Sequence, residues 1–103
     1  MIKVSVMYPS GGDGKFDMDY YTGTHMPLVR KLLGSPLKNI AVEQGLAGGT
    51  PGSAPTYLAM GHLYFDSVES FQTTSAPHAQ EILGDLPNFT NTQPTLQISA
   101  VKL

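Results

Sequence analysis

Residues 2–8 (IKVSVMY) alternate, with Ile2, Val4, Val6 and Tyr8 on one face and Lys3, Ser5 and Met7 on the other. This period-two pattern predicts a half-buried strand. PSGGDG, from Pro9 to Gly14, has the composition of a loop. A helix is expected next. Asp17 suits its N-cap, and Phe16 and Tyr21 occupy the two positions of a hydrophobic staple. Tyr21, His25, Leu28 and Leu32 follow at helical spacing as one apolar stripe. Arg30 and Lys31 complement the C-terminal dipole, and Gly34 supplies the stop. Pro27 breaks the pattern: without an N–H it cannot donate to the Gly23 carbonyl, so a kink or a tightened turn is expected there.

Residues 39–47 (NIAVEQGLA) read as a second strand, less regular because of Gly45, and GGTPGSAP (48–55) as a turn-rich connection. From Tyr57 to Phe65 the alternation is strongest: Tyr57, Ala59, Gly61, Leu63 and Phe65 oppose Leu58, Met60, His62 and Tyr64. Both faces are largely apolar, as in a strand covered on both sides. Ser67 caps a second helix that buries Val68 and Phe71; Pro77 interrupts it or opens a further short helix, and Gly84 ends the apolar run of Ile82 and Leu83. DLPNFTNTQP (85–94) reads as extended, and Leu96, Ile98, Ala100 and Lys102 alternate with Gln97, Ser99 and Val101 in a last strand. The order β-α-β-β-α-β predicts an α+β, ferredoxin-like fold, with two helices on one face of a four-stranded antiparallel sheet. The other sheet face then carries Met7, Leu58, Met60, Tyr64 and Val101. Burying that patch against a second copy predicts a two-fold homodimer with facing sheets.

Length and composition narrow the function. A chain of 103 residues is expected to form a single domain over 1–103. Charged residues make up 14% of it, low against an average near 25%, which again points to surface covered by a partner. Six basic against eight acidic residues, with no basic run, give no footprint for nucleic acid or an anionic membrane. No stretch is apolar enough for a signal peptide or a membrane span, so a cytoplasmic protein is expected. Cysteine is absent, which excludes disulfides and thiol catalysis.

His25 is the most informative position, because an imidazole on a buried stripe can act as general base or acid. The competing reading is a core histidine bonding a backbone carbonyl, such as that of Gly23. Tyr8, Tyr20 and Tyr21 fall near it, and phenols in a pocket orient carbonyl or phenolic ligands; equally, they pack. His62 belongs to the outer sheet face and reads as an interface residue. His78, after Pro77, lines a pocket mouth or is solvated. Asp85 and Asn88 either close local turns or, for Asp85, orient an imidazole from the neighbouring helix. The three histidines, with Asp85 or Glu81, lack metal-ligand spacing, so no metal is expected. The GGDG and GGTPG loops match no phosphate cradle, and Ser10, Ser53 and Ser67 lack a nucleophile-elbow setting.

Phe16-Asp17-Met18-Asp19-Tyr20-Tyr21 and His25-Met26-Pro27-Leu28-Val29 resemble the signature of the EthD family of small bacterial proteins. Gly48-Gly49, Pro51-Gly52, Phe65-Asp66-Ser67 and Asp85-Leu86-Pro87-Asn88-Phe89-Thr90 extend the resemblance over essentially the whole chain. It implies a dimeric α+β barrel. His25 matches the family's helix histidine, and Tyr20 or Tyr21 its aromatic neighbours. The family takes its name from a protein encoded with an ethyl tert-butyl ether degradation system. Related barrels act without a cofactor as monooxygenases, or as cyclases, dehydratases and decarboxylases on polyketide-like aromatics.

The expectation is therefore a cofactor-independent enzyme of the oxidoreductase/monooxygenase or cyclase/decarboxylase type, or an accessory to an oxygenase, acting on an apolar or aromatic metabolite. His25, Tyr20 and Asp85 are the expected catalytic residues, and Tyr8, Tyr21, Leu28, His78 and Asn88 the expected substrate-binding ones, with no metal or cofactor. The alternative is a non-catalytic dimeric protein that binds such a metabolite.

Overall fold

The computed structural model describes residues 1–103. Strand β1 spans Ile2–Pro9, β2 Asn39–Gln44, β3 Tyr57–Phe65 and β4 Thr95–Ala100. They form one antiparallel sheet in the order β2-β3-β1-β4. Three contiguous pieces, Met18–Tyr20, Tyr21–His25 and Met26–Leu33, make the first helix, α1. Helix α2 spans Val68–Ser75, and after a single 3-10 turn at Ala76–His78 the chain continues as α3, Ala79–Gly84. The helices cover one face of the sheet, as the alternation predicts. No helix is long and apolar enough to cross a membrane.

Pairing sets which side chains meet the helices. Val4 lies opposite Leu63 and Ile98, and Tyr8 opposite Ala59, so the inward rows of three strands coincide. Val4, Tyr8, Tyr21 and Phe65 are completely buried and define the core. On the outer face Ser5 pairs with His62, Met7 with Met60 and Lys3 with Tyr64. This face is more polar than a bare apolar patch: Ser5 Oγ bonds His62 Nδ1 at 2.9 Å, and His62 Nε2 lies 3.3 Å from Glu43 Oε1.

Helix α1 departs from expectation in its middle. The turn before Pro27 is not tightened. The chain widens into a π-turn over Tyr21–His25, with the Met26 N–H bonding the Tyr21 carbonyl, and Pro27 then occupies the first turn of the following α-helical piece. A π-turn holds one extra residue, so the stripe beyond it shifts by one position. Met26, Val29 and Leu33 are buried, whereas Leu28 and Leu32 are only half-buried. Gly34, at φ +66°, ends the helix in a conformation that only glycine adopts readily.

Three smaller expectations are corrected. Strand β2 ends at Gln44, before Gly45; Val68 is exposed rather than buried. Residues 85–94 are not simply extended, because Leu86–Asn88 coil into a 3-10 turn.

Candidate functional site

The site depends on a clasp between segments far apart in sequence. Phe16 and Thr90 form an isolated antiparallel bridge, and the Asp17 N–H donates to the Phe89 carbonyl at 2.8 Å. Beside it, the Lys15 N–H donates to Asn91 Oδ1 at 2.8 Å and the Thr90 hydroxyl to the Lys15 carbonyl at 2.7 Å. These bonds pin the residues around Asp85 against the start of α1. The Asp17 side chain caps the helix by accepting from the Tyr20 N–H at 3.0 Å. Phe16 and Tyr21 meet edge to face, 4.9 Å between centroids, which is the predicted staple.

Asp85 is the hub. Its Oδ2 accepts from His25 Nδ1 at 2.8 Å, and its Oδ1 accepts from the Tyr20 hydroxyl at 2.7 Å and from Asn88 Nδ2 at 2.9 Å. Burial alone would push this carboxyl up, but the bonds from Asn88, Tyr20 and His25 outweigh it and hold the group below its ordinary value. The same ionised carboxylate raises the Tyr20 phenol chiefly by accepting its hydrogen bond, with desolvation and charge repulsion adding to it, so Tyr20 remains a donor. Both sequence readings of Asp85 hold geometrically: the 3-10 turn it opens brings Asn88 back to it, and it faces the imidazole.

His25 is not the carbonyl-bonded core histidine of the competing reading. Its side chain is 4% exposed and stacks on Tyr21 at 5.4 Å and 13°, with Phe89 4.6 Å away on another side. In the neutral ring, with Asp85 ionised, Nδ1 carries the hydrogen and Nε2 keeps its lone pair. Nε2 has no protein partner, yet no buried side-chain nitrogen or oxygen is sealed off without one. It therefore opens onto space.

That space is a cavity of about 170 Å³ between the sheet and the helices, lined by His25, Tyr8, Tyr21, Val29, Leu63, Ile82 and neighbouring apolar side chains. Leu83 and Leu96 belong to its wall yet are more than half exposed, which puts its mouth between α3 and β4. A larger depression of about 560 Å³ lies between α1 and β2, but it is bordered by Arg30, Lys31 and Pro27 and touches neither His25 nor Asp85. The chemistry is at the smaller one.

Of the expected residues, Tyr8, Tyr21 and His25 line the cavity. Tyr20, Asp85 and Asn88 stand behind the imidazole rather than in the cavity wall. Leu28 and His78 do not line it: the extra residue of the π-turn gives Leu28's place to Val29, and the wall beside His78 is made by Ser75 and Ala79. His62 lies on the opposite sheet face. Phe89, Gly61 and Val29 carry parts of the site that were not picked out. A Cβ on Gly61 would come within 2.1 Å of the Tyr21 hydroxyl, so only glycine leaves that phenol its place over the sheet. The continuation from His25 by fours to Val29 and Leu33 was the available signal for Val29.

The fold and site define a small α+β protein with a carboxylate-held histidine facing an apolar cavity. Residues 13–93 match the EthD domain, and the chain belongs to the EthD family. It is similar to an uncharacterized 11.0 kDa protein from the thcB-thcC intergenic region of Rhodococcus erythropolis, at 29% identity over 90 residues, covering 86% of this chain and 84% of that one. An EthD-like protein from Ralstonia eutropha JMP134 superposes with a TM-score of 0.94 at 45% identity, covering 99% of this chain and 92% of the other. An ethyl tert-butyl ether (EthD) family protein from Bacillus halodurans C-125 shares the fold at a TM-score of 0.68 and 22% identity, covering 99% of each chain.

Proposed function

We propose that this EthD-family protein binds a small apolar or aromatic metabolite in the cavity and moves a proton to or from it through His25, with no cofactor. The observation that carries the reading is an imidazole whose Nδ1 is fixed by Asp85 while Nε2 borders the cavity. A base of this kind is oriented, desolvated and supplied with a counter-charge. Tyr20 and Asn88 act as positioning residues, holding Asp85 where it sets the tautomer. Proton transfer at an apolar substrate is a step that cofactor-independent monooxygenation, cyclisation and decarboxylation can each use, and the proposal is for one of these activities or for an accessory to such an oxygenase.

The test is exchange of the α-protons of cyclohexanone in D₂O, followed by proton NMR. Protein-accelerated exchange that disappears in His25→Ala supports the reading. Acceleration that survives the substitution ends the role of His25. The apolar wall also favours a second reading, a binding protein that holds the metabolite unchanged; ligand affinity intact in His25→Ala, without exchange in the wild type, selects it.

The outer sheet face is proposed to pair with a second copy. Met7, Met60 and Tyr64 lie on it half-buried, and Lys3 and Glu43 are the charged residues of the four strands that share it.

A further inference from the structure

We propose that the Tyr8 and Tyr21 hydroxyls form the oxygen-recognition point of the cavity, and that its ligand is a neutral, one-ring molecule bearing an enolisable carbonyl. This rests on the reading of His25 as a cavity-facing base and names the substrate class of that site. Size sets the first limit. A dry cavity of about 150 Å³ accepts benzene, and about 170 Å³ therefore holds one ring with a short substituent. Charge sets the second. No Asp, Glu, Lys or Arg side chain lines the wall, so an ionised ligand would lose its hydration without a partner.

The polar atoms in the wall set the third. Tyr8 and Tyr21 are each 1% exposed, and their hydroxyls have no protein partner beyond the hydrogen bond they share with each other. Both residues belong to the cavity wall. Burial pushes the Tyr8 phenol up to about 12, Tyr21 lowering it slightly, and pushes Tyr21 up still further. Both stay protonated near neutral pH, and the O–H that is not engaged between them can donate to a ligand.

The rings are close enough to serve one small ligand, Tyr21 lying 5.4 Å from His25 and 5.7 Å from Tyr8 between centroids. In the step this permits, the Nε2 lone pair of His25 takes a proton from the carbon beside the carbonyl. The C–H electrons form the C=C bond of an enolate, and the carbonyl π electrons move onto oxygen. The free O–H of the Tyr8–Tyr21 pair, backed by the other phenol, then holds the charge that develops. Reprotonation by the imidazolium at carbon or oxygen restores His25, and no oxidant or reductant is needed.

Cyclohexanone and methylenecyclohexane, which share a shape but differ in the oxygen, are the probes. Their affinities are measured by calorimetry or protein NMR titration, alongside cyclohexanone exchange in D₂O. Wild type is expected to prefer the ketone by about tenfold, the worth of one to two hydrogen bonds. Tyr8→Phe/Tyr21→Phe, which removes only the two oxygens, is expected to abolish that preference and slow exchange at least tenfold. Equal affinities in the wild type, failure of the ketone to bind, or a preference unchanged in the double variant overturns the proposal. Exchange that needs His25 but ignores both hydroxyls overturns it while leaving the base intact. A ketone preference that needs the hydroxyls, without exchange, sustains the recognition point and removes the catalytic reading.

Discussion

Replacing Asp85 by Asn should invert the proton on His25 without disturbing the packing around it. In the native site one carboxylate oxygen takes the His25 bond and the other takes both Tyr20 and Asn88, so three donors share an acceptor-only group. An amide has one oxygen. Keeping that oxygen on Tyr20 and Asn88 preserves two bonds and turns the NH₂ toward His25 Nδ1. The ring then accepts at Nδ1, and its hydrogen moves to Nε2, on the cavity side. A tautomer change costs less than leaving Tyr20 and Asn88 unmatched. All three bonds lose an ionised acceptor and the His25 bond reverses its direction; with each replaced by a neutral bond, the net loss is about 1–2 kcal/mol. For a domain of this size that lowers Tm by about 4–8 °C per kcal/mol. The effect on chemistry is larger. Without the Nε2 lone pair the general-base contribution of about 10²–10⁴-fold is removed. Nitrogen-15 NMR of the ring reads the tautomer directly, and cyclohexanone exchange reads the rate. An Nδ1–H ring in the variant, or undiminished exchange, would refute the reasoning.

Other consequences are equally specific. Because the folded-state pKa of Asp85 lies below its ordinary 3.8, its contribution is complete above the unfolded carboxylate range and lost as pH falls through the folded value. Urea melts of wild type and Asp85→Asn should therefore differ most near neutrality and converge in acid; a gap that persists at low pH contradicts this. In Gly61→Ala the new Cβ would lie 2.1 Å from the Tyr21 hydroxyl and 2.8 Å from Met26 Cε. The expected loss is about 1–3 kcal/mol, much of it recovered when Tyr21→Phe is added, since the closest atom is then gone; purely additive losses would contradict the clash. Light scattering should give the wild type a mass twice its 11.0 kDa chain, and Met60→Glu, on the outer sheet face, should yield monomer. A wild-type monomer removes that assembly.

The strands and their faces were legible because period-two alternation survives folding: Val4, Tyr8, Ala59, Leu63 and Phe65 are all buried as their positions dictate. The cap at Asp17 and the staple of Phe16 and Tyr21 were legible for the same reason, being local. What failed was phase. A helical wheel carries one period through a helix, and the extra residue at Tyr21–His25 passes the stripe from Leu28 to Val29. Pro27 flagged the irregularity, but nothing local decides between tightening and widening. Tertiary packing of Tyr21 and His25 against Phe89 accompanies the widened form. The meeting of Asp85 with His25 was harder still to read. It depends on a clasp across more than seventy residues, from Lys15 to Thr90 and Asn91, and a single sequence carries no record of such a distance.

The central claim is that a small ligand sits against His25 inside the domain. Intermolecular nuclear Overhauser effects from bound cyclohexanone test it most directly. Cross-peaks to the His25 ring and to the methyls of Val29 and Leu63 are the expected result. Cross-peaks confined to Ile40 and Val42, in the groove between α1 and β2, or to Met7 and Met60 on the outer sheet face, would contradict it.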